Sequence, residues 1–292
     1  EPTKYGNVAK MKSNGVELSL NTVNIKTKDF TWTTDFIYSH MHNEVTELNT
    51  YNRLYDYISG YGFTMPGYPQ RSLFSIPFAG LNNEGLPTFY DPDGNITVTG
   101  IDMQEYDPER LKFLKYEGPA DPTDVGSLGN IFRYKNLTLN LFITYSFGNV
   151  VRLDPVFSSE YSDLSATPKE FNNRWIKPGD EKFTNIPVIA SRQQLNNLAY
   201  LSRAYQSYNY STARVAKGDF IRMKEISLAY EFPKTLTQPL HLSNLSLKLQ
   251  ATNLFLLYAD KKLNGQDPEF FNAGGVATPM PKQFTLTLKF GI

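Results

Sequence analysis

The chain has 292 residues, no cysteine, and 29 basic against 29 acidic side chains, so its formal net charge is zero. Balanced charge indicates no nucleic-acid partner, and the lack of cysteine excludes disulfides, thiolate zinc sites and thiol nucleophiles. Aromatic residues make up 14% of the chain, although only 40% is hydrophobic. That balance gives no run of roughly 18 apolar residues for a membrane helix, but it suits a membrane β-barrel, whose strands are only half apolar.

Seven segments alternate apolar and polar residues with the two-residue period of a half-buried β-strand. The first places Leu18 and Leu20 on one face, with Glu17 and Asn21 on the other. Each segment is close to the roughly 9–11 residues that cross a bilayer at the tilt of a barrel strand. In chain order the predicted strands are 15–25, 30–42, 126–134, 137–147, 220–232, 245–255 and 282–292.

The connections between these strands alternate in length. Short connections are predicted at 26–29, 135–136 and 233–243, and long ones at 43–124, 148–216 and 259–281. Within the long segments we expect short strands at 72–78 and 95–99 and a short helix at 168–175. In outer-membrane barrels the short turns are periplasmic and the long loops are extracellular.

We therefore predict an all-β fold: an antiparallel transmembrane β-barrel segment of about seven to nine strands. The segment forms one unit over 1–292 and carries three long extracellular loops. The apolar face would meet lipid, and the polar face would line a wet lumen. Glu17 and Glu231 would face this lumen, where wetting of the lumen is favoured over the alternative of a catalytic carboxylate pair. The sequence has no phosphate loop, nucleophile elbow or zinc-helix motif. We predict no enzyme activity, no cofactor and no metal. The predicted lumen-facing residues are Glu17, Asn21, Asn140, Glu225, Lys248 and Gln250.

The long loops carry two clusters of tyrosine. A tyrosine ring offers an apolar face to a sugar or peptide, and its hydroxyl bonds to polar groups. The alternative is that these rings pack the loops against one another or against a partner protein. The candidate residues for substrate or partner contact are Tyr51, Tyr55, Tyr57, Tyr61, Tyr68, Trp175, Tyr200, Arg203, Tyr205, Tyr208 and Tyr210.

Two motifs have spacings that would suit a metal. His40 and His42 lie on one face of a strand, but they share the parity of that strand's aromatic residues, so we expect them to point toward lipid headgroups. The motif DPDGN (91–95) alternates acidic and amide side chains as a calcium loop does. However, the glycine and glutamate that an EF-hand needs at its sixth and twelfth positions are Ile96 and Asp102, so a tight turn is favoured.

Seven stretches follow one another over nearly the whole chain: NVAKMKSNGVELSLN (7–21), FRYKNLTLNLFITYSFGN (132–149), NRWIKPGDE (173–181), GDFIRMKEISLAYEFP (218–233), LSLKLQATNLFLL (245–257), DPE (267–269) and PKQFTLTLKFGI (281–292). In this order they resemble the C-terminal part of a SusC/RagA-type TonB-dependent outer-membrane transporter. Members of that family typically end on a barrel strand with a C-terminal aromatic residue, and Phe290 is third from the end here.

The resemblance implies a plugged barrel of roughly 22 strands in the Gram-negative outer membrane. It also implies import of oligosaccharides or peptides, with a SusD-like lipoprotein on the extracellular side and TonB acting through an N-terminal region. The chain has no stretch resembling the plug or the TonB box, and no initiator Met or signal segment. We therefore expect a C-terminal fragment or one part of a split transporter. A small independent outer-membrane barrel and a secreted carbohydrate-binding β-sandwich remain as alternatives.

Overall fold

Seven long strands form one antiparallel sheet in the computed structural model, which describes residues 9–50, 52–60, 62–156, 168–270 and 280–292. Seven shorter strands lie in the connections. The strands in chain order are β1 (Ala9–Lys26), β2 (Phe30–Leu48), β3 (Ser72–Ser75), β4 (Phe78–Leu81), β5 (Pro87–Tyr90), β6 (Ile96–Thr97), β7 (Lys115–Pro119), β8 (Asp124–Tyr134), β9 (Leu137–Phe147), β10 (Val150–Arg152), β11 (Val215–Lys217), β12 (Phe220–Glu231), β13 (Asn244–Ala259) and β14 (Gln283–Gly291).

The helices are short and lie between the strands. None of the helices in the described ranges has the length and apolar character needed to cross a membrane. The α-helices are α1 (Leu54–Ile58), α2 (Pro108–Leu111), α3 (Arg192–Asn197), α4 (Leu201–Asn209) and α5 (Lys234–Thr237). Single 3₁₀ turns occupy Lys169–Asn173, Asp180–Lys182, Thr212–Arg214, Gln238–Leu240, Lys261–Leu263 and Pro268–Phe270.

The large sheet has the order β1-β2-β8-β9-β12-β13-β14, and every neighbouring pair is antiparallel. Its strands are the seven predicted from the alternation. β1 and β2 run further than predicted, because residues 9–14 and 43–48 also pair. The apolar alternation is lost there, and exposed ion pairs link Lys12 to Glu44 at 2.9 Å and Lys10 to Glu47 at 2.8 Å.

Directly paired residues of a sheet share a face, so the register shows which side chains lie together. Leu139, Leu228, Leu249 and Leu286 form a row across four strands on one face. The adjacent row on the other face consists of Asn140, Ser227, Gln250 and Thr285. One face of the sheet is therefore apolar and the other polar.

The connections at one end of the sheet are short. Lys135 takes the left-handed conformation that closes the β8–β9 turn, with φ of 52°. Its amide donates to the carbonyl of Asp29 in the neighbouring β1–β2 turn at 2.8 Å. The third short connection contains α5 and a 3₁₀ turn.

The opposite end carries the long connections, which hold the small sheets β3-β7, β4-β5-β6 and β10-β11. The short strands expected at 72–78 and 95–99 correspond to β3 with the start of β4, and to β6. The helix expected at 168–175 is a 3₁₀ turn, Lys169–Asn173. All of the long connections thus lie at one end of the sheet.

Candidate substrate and partner contact site

The long connections fold together into one unit, which we call the loop cap: the described residues of 49–123, 148–219 and 260–282. Its main core joins the first two connections, with Ile58 and Phe74 from the first and Ala204 and Tyr208 from the second. A smaller core joins the second and third connections through Val151, Leu153, Ala216 and Leu263. The three connections therefore share buried apolar surface, which is the main stabilising term in such packing.

The loop cap is also attached to the end of β2. Val45 is buried, and its amide donates to the carbonyl of Tyr68 at 2.9 Å. The carbonyl of Val45 accepts from the amide of Gly67 at 2.8 Å. The first connection is therefore bonded to the sheet by backbone groups as well as by side-chain packing.

Three of the predicted contact residues lie half-buried in the first connection, at the edge of the main core. Tyr57 meets Phe74 edge-on with ring centroids 6.0 Å apart, and Tyr68 meets Phe74 at 5.2 Å. Tyr55 packs edge-on against Tyr210 of the second connection at 5.9 Å. Tyr51 and Tyr61 lie outside the described residues.

Aromatic rings of this group line a small open pocket of about 90 Å³. Tyr57, Tyr68 and Phe74 form its apolar wall, and Lys112 lies at its rim with its ammonium 2.6 Å from Glu109. An apolar wall with a charged group beside it suits a small apolar group, such as a side chain or one face of a sugar ring.

Tyr205 and Tyr208 do not fit the contact role predicted for them. Both lie on α4 and are 0% and 1% exposed. The Tyr205 hydroxyl donates to the carbonyl of Val188 at 2.5 Å, and the Tyr208 ring packs edge-on against Phe78 with centroids 5.6 Å apart. Because rings buried to this extent have no accessible face, they pack the loop cap, which is the alternative role considered above.

Two other predicted residues on the second connection, Tyr200 and Arg203, are more accessible. Tyr200 is half-buried against the small cluster of Leu86, Ala190 and Leu201, and Arg203 is exposed on α4. Gly100 of the first connection packs against the backbone of Arg203 and Ala204. A side chain at position 100 would collide with that backbone. Helix α4 is thus placed against the first connection by backbone contact.

Two arginines that were not predicted bond within the loop cap: half-buried Arg152 joins the second connection to the first, and buried Arg214 bonds within the second. The Arg152 guanidinium donates to the carbonyl of Phe74 at 2.5 Å and lies over the ring of Tyr210. Burial lowers the pKa of Arg152 to about 10, so it remains charged at neutral pH. Arg214 is 2% exposed and pairs with Glu170 at 2.5 Å. Buried charges need such partners, because an unpaired one is costly to remove from water.

A third arginine connects the loop cap to the sheet. Arg222 of β12 lies 2.5 Å from Asp267 in the third connection, and both side chains are buried. Its Nε lies 3.2 Å from Glu269, which is more exposed. These two carboxylates belong to the DPE stretch, and nothing in its local sequence indicates that its partner is on β12.

The six residues predicted to face the lumen lie on the polar face of the sheet. Asn21 and Glu225 fall in the same cross-strand row, which runs through Asp35 and Phe142. Glu225 accepts from the Asn140 amide at 3.3 Å and lies 3.8 Å from the Lys248 ammonium. Asn21 donates to Asp35. The polar face therefore presents carboxylate, amide and ammonium groups side by side.

His40 is bonded to a carboxylate on the neighbouring strand. Its Nδ1 lies 2.8 Å from Asp124 Oδ1, the same oxygen that accepts from the Tyr38 hydroxyl at 2.6 Å. Within the described ranges, no three histidine or acidic side chains are grouped closely enough to hold a metal. The Asp91 carboxylate is occupied by the amides of Asp93 and Asn95, at 2.9 and 2.8 Å, which closes a tight turn.

Trp175 is a buried residue of a tightly bonded turn. Its ring packs against Gly85 of the first connection, where a side chain on the glycine would collide with the indole. The indole Nε1 donates to Glu181 at 3.1 Å, and the same oxygen accepts from the amide of Gly179 at 2.8 Å. Trp175 thus contacts another connection of the cap, while its accessible surface is small.

Comparison with known proteins gives related sequences over nearly the whole chain, although no family model matches. TonB-dependent receptor P39 of Formosa agariphila is 26% identical over 315 residues, covering 94% of this chain and 29% of the relative. TonB-dependent receptor SusC of Bacteroides thetaiotaomicron is 27% identical over 298 residues, covering 97% of this chain and 26% of the relative. The chain therefore spans well under a third of the length of the curated relatives it matches.

Solved structures give the same fold. The structure of the RagAB peptide transporter matches with a TM-score of 0.69 at 23% identity, over 99% of this chain and 30% of that one. The RagAB peptide importer in its closed-closed state matches with a TM-score of 0.67 at 22% identity, over 98% of this chain and 30% of that one. The predicted fold class, the resemblance to SusC/RagA-type TonB-dependent proteins and the outer-membrane location are thereby confirmed.

Proposed function

We propose that the chain is part of the barrel of a TonB-dependent outer-membrane transporter of the SusC type. It would import oligosaccharides or peptides together with a SusD-like surface lipoprotein. The observation that carries the proposal is a sheet with one apolar and one polar face and a folded cap at one end only. An importer needs these three parts: a wall against lipid, a wetted wall, and a cap that meets the substrate.

The apolar face supports a lipid contact. Leu228, Leu249 and Leu286 remain exposed within the described structure, Leu286 at 65%. Soluble proteins rarely leave contiguous apolar patches larger than a few hundred Å² in water. A secreted β-sandwich would cover such a face with a second large sheet, whereas the seven long strands described here form a single one. A bilayer would cover these leucines in the transporter.

The polar face and the loop cap support a substrate path. Asn140, Glu225 and Lys248 offer groups that bond equally well to sugar hydroxyls and to peptide amides. The accessible rings of Tyr57 and Tyr68 would contact apolar parts of the substrate, in the pocket described above. The proposal therefore includes both oligosaccharides and peptides as substrates. In it the long connections are extracellular and the short turns are periplasmic.

The two edges of the sheet support the proposal that this chain is one part of a larger barrel. β1 and β14 each pair on one side only in the described chain. Exposed edges of this length invite pairing with further strands. The other strands of the barrel, the plug and the TonB-contacting region would lie in the remainder of the transporter. In this proposal the chain carries out no covalent chemistry, and energy comes through TonB from the inner-membrane proton gradient.

The test is energy-dependent uptake by cells that express the complete transporter with its lipoprotein. Labelled oligosaccharides and labelled peptides are supplied in parallel, with and without a protonophore. We expect uptake of one class that stops with the protonophore and in cells lacking TonB. If neither class enters faster than in cells lacking the transporter, the import proposal is wrong.

A further inference from the structure

One turn of the loop cap holds two large apolar side chains out of the protein. Phe183 is 89% exposed and Ile176 is 67% exposed. Both are bonded to the same residue. The Ile176 amide donates to the Asp180 carboxylate at 3.1 Å, and the Phe183 amide donates to the Asp180 carbonyl at 2.8 Å. The two residues, here called the Ile176/Phe183 pair, are therefore bonded through their backbones within one compact turn and have exposed side chains.

The turn is held by a backbone hydrogen bond at its base and by packing against the first connection. The Trp175 amide donates to the carbonyl of Ile186 at 2.9 Å and so closes the turn at its base. The Trp175 ring is anchored against Gly85, as described above. A side chain held in place before association loses little further freedom when it docks, which is why rigid aromatic anchors contribute strongly at interfaces.

The charges of the turn are divided between its inside and its outside. Hydrogen bonds from its own backbone amide, and then from Trp175, lower the pKa of Glu181, so this inward-bonded carboxylate stays ionised. Asp180 is likewise bonded to backbone amides. Lys177 and Lys182 are both exposed, and the charge of Lys182 also contributes to the lowered pKa of Glu181. The outer surface of the turn therefore presents apolar groups flanked by two ammonium groups.

We propose that the Ile176/Phe183 pair is the anchor by which this chain docks the surface lipoprotein, fitting an apolar pocket rimmed by carboxylates on that protein. The inference rests on the proposed function, which pairs the transporter with such a lipoprotein. The turn belongs to the loop cap, at the end of the sheet away from the short turns, where an extracellular partner would meet it. The two lysines supply the charge complementarity that selects an acidic rim.

The experiment uses the complete transporter, purified in detergent, and the purified SusD-like lipoprotein from the same genome. The Kd of the pair is measured for the wild type, for Phe183→Ala and for Ile176→Ala. The matched control is Ile96→Ala, because Ile96 is 61% exposed and also lies in the loop cap. We expect Phe183→Ala to raise the Kd at least about tenfold, as truncation of an interface anchor does, and Ile96→Ala to leave it unchanged.

Two further results separate the docking inference from the proposed function. If the wild type binds the lipoprotein and Phe183→Ala binds it as tightly as Ile96→Ala does, the anchor is wrong and the transporter proposal stands. If the wild type does not bind the lipoprotein, the partner in the proposed function is wrong, and the anchor is rejected with it. The unfolding temperature of each variant is measured without the lipoprotein. A lower value for Phe183→Ala alone would mean that the ring packs against the transporter itself, which also overturns the inference.

A second pair of variants tests the charges. Lys177→Glu with Lys182→Glu should weaken binding and reverse its dependence on salt, since two attractive contacts become repulsive ones that salt screens. The control is the same double change to glutamine, which removes the charges without reversing them and should weaken binding less. Equal binding by all of these variants would contradict an acidic rim.

Discussion

The Tyr145 hydroxyl on β9 donates a hydrogen bond to the backbone carbonyl of Ile37 on β2, at 2.9 Å. The two strands are not neighbours, because β8 lies between them. The contact crosses Gly126 of β8, which pairs directly with Tyr145. A side chain at position 126 would collide with both the Tyr145 ring and the Ile37 carbonyl. Three strands are thus joined by a ring that lies over a glycine, an arrangement known to support glycine within sheets.

Gly126→Ala should destabilise the barrel by about 1–3 kcal/mol, the usual cost of forcing extra atoms into a packed site. The physical reason is the displacement of Tyr145 from Ile37. The free energy of unfolding is measured in urea in lipid vesicles. Gly129→Ala on the same strand is the control, because its added methyl would meet its nearest neighbours at an ordinary 3.6 Å. If both variants lower the free energy of unfolding by the same amount, the Tyr145 contact has no specific role.

Leu286→Arg and Thr287→Arg place the same charge on opposite faces of β14. If the apolar face meets lipid, the first change should cost about 2–4 kcal/mol near the bilayer midplane, because the charge is then exposed to hydrocarbon. The second should cost little, since the polar face is wetted. Folding into vesicles, followed by gel mobility without heating, measures both. Similar folding of the two variants would exclude the lipid assignment of this face.

Asp267→Asn should loosen the third connection more than Glu269→Gln does. Asp267 is the less exposed partner of buried Arg222, so its neutralisation leaves Arg222 with only the exposed Glu269 carboxylate, at a cost of up to about 3 kcal/mol. Glu269 is 42% exposed, and solvent reduces the value of its contact to about 1 kcal/mol or less. The rate of limited proteolysis between β13 and β14 reports the loosening. The prediction fails if the glutamine variant is cleaved as fast as the asparagine variant.

The loop cap should lose stability in alkali before the sheet does. Burial raises the pKa of Tyr208 from 10.0 to about 12. A folded pKa above the unfolded one means that the neutral phenol is favoured in the fold, so this contribution is complete below pH 10 and is lost between pH 10 and about 12. Tyrosinate absorbance and proteolysis of the cap are followed together. Tyr208→Phe should make the stability of the cap less sensitive to pH between 10 and about 12. If its proteolysis depends on pH as the wild type's does, ionisation of Tyr208 is not the cause.

The sheet could be predicted from sequence because burial on one face leaves a period of two. Leu139 and Leu141 alternate with Asn140, and that pattern both marks β9 and says which side chains lie together. The pattern stops at Gly15, although β1 continues back to Ala9. There the backbone ladder continues between exposed residues such as Lys10 and Glu47, and only Ala9 and Met11 among residues 9–14 are apolar.

The loop cap was harder to predict for two physical reasons. Helix α4 does carry a signal, since Leu201, Ala204, Tyr205 and Tyr208 have the spacing of a buried helical face, and its tyrosines are better interpreted as core than as contacts. Arg152, in contrast, bonds to the backbone carbonyl of Phe74, far away in the chain. A bond from a side chain to a distant carbonyl places no demand on the local sequence, so no pattern indicates it.

The shared core of the first two long connections has a consequence for how the loop cap can change in sequence and shape. Phe74 and Phe89 of the first connection are buried in the same cluster as Ala204 and Tyr208 of the second. Exchanging one connection for a homologous one of another shape would leave half of that cluster mismatched, and close-packed interiors tolerate such mismatch poorly. Exchange of a single connection should therefore destabilise the loop cap more than exchange of both together. Substitutions on the outer surface of either connection leave this shared cluster intact.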